Sequence, residues 1–346
     1  MTSRGARLPR RLVVALVVAA ALATPTAAAA LATPTVAAAH TTPIAPARVI
    51  RAVTSYLRSA QDADGGFGEA PGQPPDQLYS GWAALGLAAA GQNLDDVTHG
   101  GPSVIGYIET APGATSDVGS LERTILVLGA ARQSPQSFDG RNLVTTLEGR
   151  IQRDGAVSGQ VNLTTFAVLA LRSAAVAAPA RTLRWLAAQQ DRDGGFSYSA
   201  RGGGSDVDDT GAVLEALAGD RAAAAVRARA VTYLRRRQDR DGGFPSTPGE
   251  GSNAQSTAWA IQGLEADRVS VVQLHDHGSP SPLAYLESLV RGNGLVDYSR
   301  GLDLTPVWVS GEALMALAGK PLPVRSPPLA RSANSSPQNP SWWRNR

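Results

Sequence analysis

The densest cluster of reactive groups in the chain is DVDD, Asp206 to Asp209, followed by Thr210. Carboxyl groups this close suppress one another's ionisation. A carboxylic acid hydrogen-bonded to a neighbouring carboxylate stays protonated yet acidic, and a helix starting there tunes both. Asp208 and Asp209 are therefore the candidate catalytic residues. Two other readings stand beside that one: a ligand contact, and a solvated acidic helix start favoured by the macrodipole, which is the first expectation. Metal chemistry finds little to use. Cysteine is absent, which removes disulfides, thiolate ligands and cysteine nucleophiles together. The HDH of His275 to His277 sits in the Gly- and Pro-rich stretch DHGSPSP and reads as solvated histidines. Asp191 and Asp193 imitate the first ligands of a calcium loop, but Gly195 and Gly202 occupy its fifth and twelfth places. No metal and no cofactor are expected.

The elements that must position these residues repeat. QDADGGF (Gln61 to Phe67) and QDRDGGF (Gln190 to Phe196, and Gln238 to Phe244) each end one helical pattern. After a polar interval each leads into another: LYSGWAALGLAAAG from Leu78, DDTGAVLEALAG from Asp208 and QSTAWAIQGLEA from Gln255. Gly194 or Gly195 suits the left-handed conformation that ends a helix, with Phe196 tucked under the turn, so the stretch reads as scaffold. Weaker copies bring the total to six. Ser80, Leu121, Thr165, Thr210, Thr257 and Ser310 correspond, 41 to 53 residues apart, in a repeat of roughly 45 residues. Four places earlier stand Asp76, Asp117, Val161, Asp206, Asn253 and Pro306, so Asp206 falls where Asp or Asn caps a helix in three other copies. No other copy matches Asp208 or Asp209 with a carboxylate. Six hairpins of this kind either stack into an open solenoid or close into a ring.

The ends of the chain read differently. Arg4, Arg7, Arg10 and Arg11 precede the apolar run LVVALVVAAALA and then a series of small residues, so residues 1–39 form a candidate secretory signal peptide. Taking those four charges from the formal net charge of +3 leaves −1, which removes the basic surface a nucleic-acid partner would need. Residues 40–49 read as a short linker, 50–320 as the repeat domain and 321–346 as a Pro- and Ser-rich disordered tail, with Trp342 and Trp343 near its end. No membrane span is expected after signal removal, and the product is a secreted, extracellular monomer.

The DGGF turns followed by STAWAIQGL and DVDDTGAVLEAL resemble the repeats of the protein prenyltransferase and squalene cyclase superfamily, over about Ile50 to Lys320. The resemblance implies an all-α fold, a closed α/α toroid of six helical hairpins, or α6/α6 barrel. In squalene-hopene and class II diterpene cyclases a DxDDT motif supplies the proton that starts polyene cyclisation, and the resemblance would give that role to Asp208. Three features weigh against it. Such cyclases set the motif between two helical domains, whereas one toroid is expected here; aromatics are only 5% of the chain; and an exported protein is not readily offered membrane-derived substrates or diphosphates. Protein prenyltransferases hold zinc with Asp, Cys and His, which a chain without cysteine cannot match, and thioester domains of the complement type also need a cysteine. Toroids of the intrinsic-factor and transcobalamin type bind a corrinoid at the barrel mouth without catalysis.

The expected function is therefore a secreted, non-catalytic toroid that binds a small polar or amphipathic ligand, corrinoid-like in one version, or a cell-surface component. Its rim would consist of helix N-termini with unpaired N–H groups, suited to a polar or anionic ligand. The loops 68–77, 197–205 and 245–253 flank that rim, and the candidate ligand-binding residues are Tyr79, Trp82, Tyr198, Asp208, Asp209, Gln255, Trp259, Asp303 and Trp308. Two alternatives remain, both enzymes: a terpene cyclase using Asp208, and a glycan-processing enzyme pairing Asp208 or Asp209 with Asp303 across the cavity.

Overall fold

The computed structural model describes residues 45–111, 113–275 and 278–325. The expected signal peptide, the first part of the linker, the tail from 326 with Trp342 and Trp343, and Asp276 and His277 of the HDH lie outside them. Twelve α-helices are seen among the described residues, in six consecutive pairs. The first members are α1 (Ala47–Ser59), α3 (Val104–Thr110), α5 (Leu143–Glu148), α7 (Ala180–Ala188), α9 (Ala224–Arg237) and α11 (Pro282–Ser288). The second members are α2 (Gln77–Ala89), α4 (Val118–Ala130), α6 (Val161–Ser173), α8 (Val207–Leu217), α10 (Ala254–Ala266) and α12 (Pro306–Leu317).

Burial assigns the two sets to two rings. In α2, eleven of thirteen residues are buried, whereas α9 buries three of fourteen and ends in Arg235, Arg236 and Arg237. A helix apolar all round belongs inside and one with a single apolar stripe outside. The second members accordingly form the inner ring. The ring is closed, as expected for the α/α toroid. The Trp308 indole of α12 stacks on Trp82 of α2 at 6.4 Å, and Ala45 N–H donates to Leu317 C=O across the seam. At the seam the helix backbones touch: a Cβ on Gly311 would lie 2.6 Å from Trp82 O, so only glycine fits there.

The DGGF stretches lock each hairpin shut. Phe67, Phe196 and Phe244 are fully buried, and their N–H groups donate to the hydroxyls of Ser80, Thr210 and Thr257 on the following inner helix at 2.8, 2.9 and 2.9 Å. Gln190 Nε2 donates both to Gly194 O and to Val226 O of the next outer helix, tying one repeat to another. Gly194 is the left-handed residue, at φ +95°, while Gly195 is needed for space, since a Cβ there would lie 2.5 Å from Ser205 Cβ. In the third copy the hydroxyl that meets the turn is that of Thr164, at 2.7 Å from Val157 N, and not the expected Thr165. Its degenerate turn precedes a helix with no side-chain cap at Gln160, so the register slips by one residue. The described chain also stays packed beyond the expected start of the tail. Leu322 and Val324 are buried, and the Leu322 N–H donates to the Glu215 carboxylate.

Replacing Gly194 and Gly195 together with alanine should therefore destabilise the fold by about 1–3 kcal/mol through positive-φ strain and backbone overlap. The check is a denaturant titration beside a circular dichroism spectrum. A variant as stable as the parent would remove the scaffold role.

Candidate functional site

The DVDD stretch starts α8. Asp206 is the N-cap, as expected, its Oδ1 accepting the Asp209 N–H at 2.7 Å, and Asn253 does the same for Ser256 at the start of α10, at 2.8 Å. The helix starts are further covered by the loop of the next repeat. Ser199 O accepts from Val161 N of α6, Ser246 O from Val207 N of α8, Tyr298 O from Ala254 N of α10 and Glu69 O from Val307 N of α12. The expected rim of unpaired N–H groups is therefore not formed. A backbone carbonyl, or a carbonyl and a cap together, already occupies the seat an anion would take at these four helices.

Beside these starts lies a cavity of about 570 Å³ bounded by the last three repeats. Residues four apart share a helix face, and here Asp208 and the pairs Gln255 and Trp259, and Trp308 and Glu312, line the cavity. One turn below Asp208 the lumen is filled by three rings from alternate inner helices: Trp82, Phe166 and Trp259 meet edge-to-face with centroids 5.7 to 5.9 Å apart. The cavity thus has an aromatic floor, with Trp259 and Trp308 in its lining. Aromatics are few in the chain but concentrated here.

Asp206 and Asp209 are buried and Asp208 is half-buried at the cavity wall, so the expected solvated acidic start is corrected. Asp209 is fully buried and neither of its carboxyl oxygens has a hydrogen-bond partner among the described residues. Burial, then the charges of Asp206 and Asp208, holds it well above the usual carboxylate range. Burial, then the Asp208 charge, pushes Asp206 up to about 7. Asp208 opens to the cavity; its Oδ2 accepts from Ser246 Oγ at 3.3 Å while Oδ1 has no partner. Burial raises it to about 6 against the hydroxyls of Ser256 and Ser246. At about 6, Asp208 is the most acidic of the three and carries its proton at mildly acidic pH, while Asp209 behind it keeps its own to higher pH.

Of the expected ligand-binding residues, Tyr198, Asp208, Gln255, Trp259 and Trp308 line the cavity. Trp82 lies beneath it, Tyr79 packs edge-on against Trp308 at 6.5 Å, and Asp209 stands behind Asp208. Asp303 is not in the lining; it pairs with Arg291 at 3.0 Å on the surface, so the expected pairing of Asp208 or Asp209 with Asp303 across the cavity is not formed. The loop 68–77 covers α12 rather than the cavity. Sequence reasoning missed Glu312, whose two oxygens accept from Gln255 Nε2 and Trp308 Nε1, each at 2.8 Å, and which burial pushes up to about 8 against those donors. Its signal was legible as a lone acid inside the apolar run PVWVSGEALMAL.

A carboxyl group whose folded pKa is raised stabilises the fold fully below its unfolded pKa, about 4, and that contribution is lost as pH rises through the folded value. The melting temperature should accordingly fall between pH 4 and pH 8. Asp209→Asn, which keeps the volume and removes the titration, should make the fall shallower, as read by thermal melts across that range; an unchanged slope would mean that Asp209 is not the buried acid described.

The fold is similar to solved structures of the type II terpene cyclase MstE from Scytonema. The ligand-free form is 12% identical with a TM-score of 0.58, over 78% of this chain and 97% of that one. A complex of a variant with its product, merosterolic acid A, is 14% identical with a TM-score of 0.60, over 79% and 96%. A protein from Actinoplanes gives 14% and 0.57, over 79% and 98%. No curated protein matches the chain in sequence. At these identities the likeness is one of fold, yet it overturns the grounds for a non-catalytic binding toroid. That cyclase is spanned almost entirely by the one toroid found here, and related structures hold its substrate and its product. A second helical domain is thus no requirement, the aromatic wall is present, and the binding-only expectation is given up. The sequence pattern of the prenyltransferase alpha-alpha toroid domain matches residues 49–125 and 128–277, and the chain belongs to that family.

Proposed function

We propose that the protein is a type II terpene cyclase that starts polyene cyclisation by protonation from Asp208. The observation that carries the reading is the position of Asp208: a carboxyl group with a raised pKa, open to the cavity whose lining includes Trp259 and Trp308. Its chemistry follows from the groups around it. The Asp208 O–H gives its proton to one carbon of a terminal double bond, leaving a tertiary cation on the other. The next double bonds attack in turn as the chain folds, and the final cation loses a proton or takes up water. Aromatic faces steady the positive charge, while burial, with the charge of Glu250 at the mouth, holds the Asp208 proton above the usual carboxylate range. Glu312, fixed by Gln255 and Trp308, faces the same space with a carboxyl dipole. The signal expected in residues 1–39 would set this activity outside the membrane.

The test is incubation of the purified chain with acyclic isoprenoids and mass spectrometry of the products. Cyclic products are expected from the parent, with Asp208→Asn reducing the rate by about 10²–10⁴-fold at an unchanged circular dichroism spectrum. The acid form is the active one, so the rate should fall as pH rises above about 6. Cyclic products that persist with Asp208→Asn would overturn the assignment of the proton donor; no cyclic product from any substrate would overturn the cyclase reading.

A further inference from the structure

We infer that the substrate is an uncharged linear isoprenoid, such as a polyprenyl alcohol, of about twenty carbons or fewer, and that diphosphates and other anionic head groups are excluded. The inference rests on the cyclase reading and narrows it.

Four observations carry it. First, the ionisable residues that line the cavity, apart from the tyrosines, are Asp206, Asp208, Glu250 and Glu312, all acids. A diphosphate brought among them finds no cation in the lining to pair with and meets a negative charge on whichever of the acids is ionised. Of the arginines nearby, Arg291 pairs with Asp297 and Asp303, Arg300 lies over the Tyr285 ring, and Arg201 of the loop 197–205 is not in the lining. Second, the helix starts that face the mouth offer no anion seat, because Ser246 O and Asp206 occupy that of α8, and Tyr298 O and Asn253 that of α10. Third, two of the lining residues open to solvent are apolar in body, Tyr198 at 37% exposed and Leu302 at 43%, and beside the exposed Thr247 and Glu250 they give the mouth one apolar side, which suits a lipid chain. Fourth, at about 30 Å³ for each heavy atom, the share a water takes in the liquid, a space of this size holds about twenty heavy atoms. A thirty-carbon polyene exceeds it. A single hydroxyl end, by contrast, finds partners in Ser246, Thr247 and Tyr298 along the lining.

The experiment is calorimetric titration of Asp208→Asn, in which turnover is stopped, with geranylgeraniol, geranylgeranyl diphosphate and squalene, beside product analysis with the parent chain. The alcohol should bind about tenfold or more tighter than the diphosphate, and squalene should bind most weakly. Glu250→Arg, a change at an exposed position of the mouth, should narrow the gap between alcohol and diphosphate. Equal or tighter binding of the diphosphate, equal binding of squalene, or no binding of the alcohol overturns the inference. The two claims separate cleanly. Cyclic products from the diphosphate but not from the alcohol would overturn this inference and leave the cyclase reading intact. Selective binding of the alcohol with no cyclic product from any of the three would support the ligand class and remove the cyclase reading.

Discussion

A closed ring of six inner helices encloses a lumen, and close-packed interiors do not tolerate an empty one. Here the filling is aromatic. Trp82, Phe166 and Trp259 come from alternate helices at one level and meet in a triangle, with Trp308 stacked on Trp82. Because the rings fill the lumen at that level, the remaining space is displaced toward the mouth and to the side of the last three repeats, where Asp208 stands. The small Ala212 lies one turn below Asp208, and Gly311 lets α12 close against α2 without a gap. Packing of the ring and the location of the cavity are thus one constraint seen from two sides.

The acids at the mouth run against the usual economy of folding. Burying a carboxyl group without a hydrogen-bond partner destabilises a fold, and structures keep such groups chiefly where they act. Asp209 is fully buried with no donor, beside Asp206 and Asp208, and Glu312 is buried across the same cavity. A caps-only account explains Asp206, as it explains Asp76 and Asp117 in sister repeats. It gives no reason for Asp208 and Asp209, which the other repeats replace with neutral residues. A site that must hold a transferable proton on a carboxyl group at mildly acidic pH does give one.

Much of this was legible in the sequence, and the parts that were not share a cause. The hairpin repeat, the closed ring, the scaffold role of the DGGF turns and the Asp206 cap follow from local spacing and turn chemistry. The slip from Thr165 to Thr164 escaped because the third copy has no cap residue to mark its start. Function depended on what lies across the ring. Overall aromatic content of 5% argued against a cation-steadying wall, yet register brings three rings together at the axis. The helix N-termini looked open, yet the loop of the next repeat covers four of them. Asp303 looked available, yet Arg291 holds it. Glu312 was overlooked because an acid within an apolar helix reads as an irregularity until its partners, Gln255 and Trp308, are known.

The central claim is that a carboxyl proton begins the reaction, and isotope transfer tests it most directly. The Asp208 proton exchanges with solvent between turnovers, so cyclisation run in deuterium oxide should leave one deuterium on the ring carbon beside the gem-dimethyl carbon of the product, as read by NMR. A cyclic product without deuterium at that carbon would mean that the first cation arises by another route, and would contradict the account.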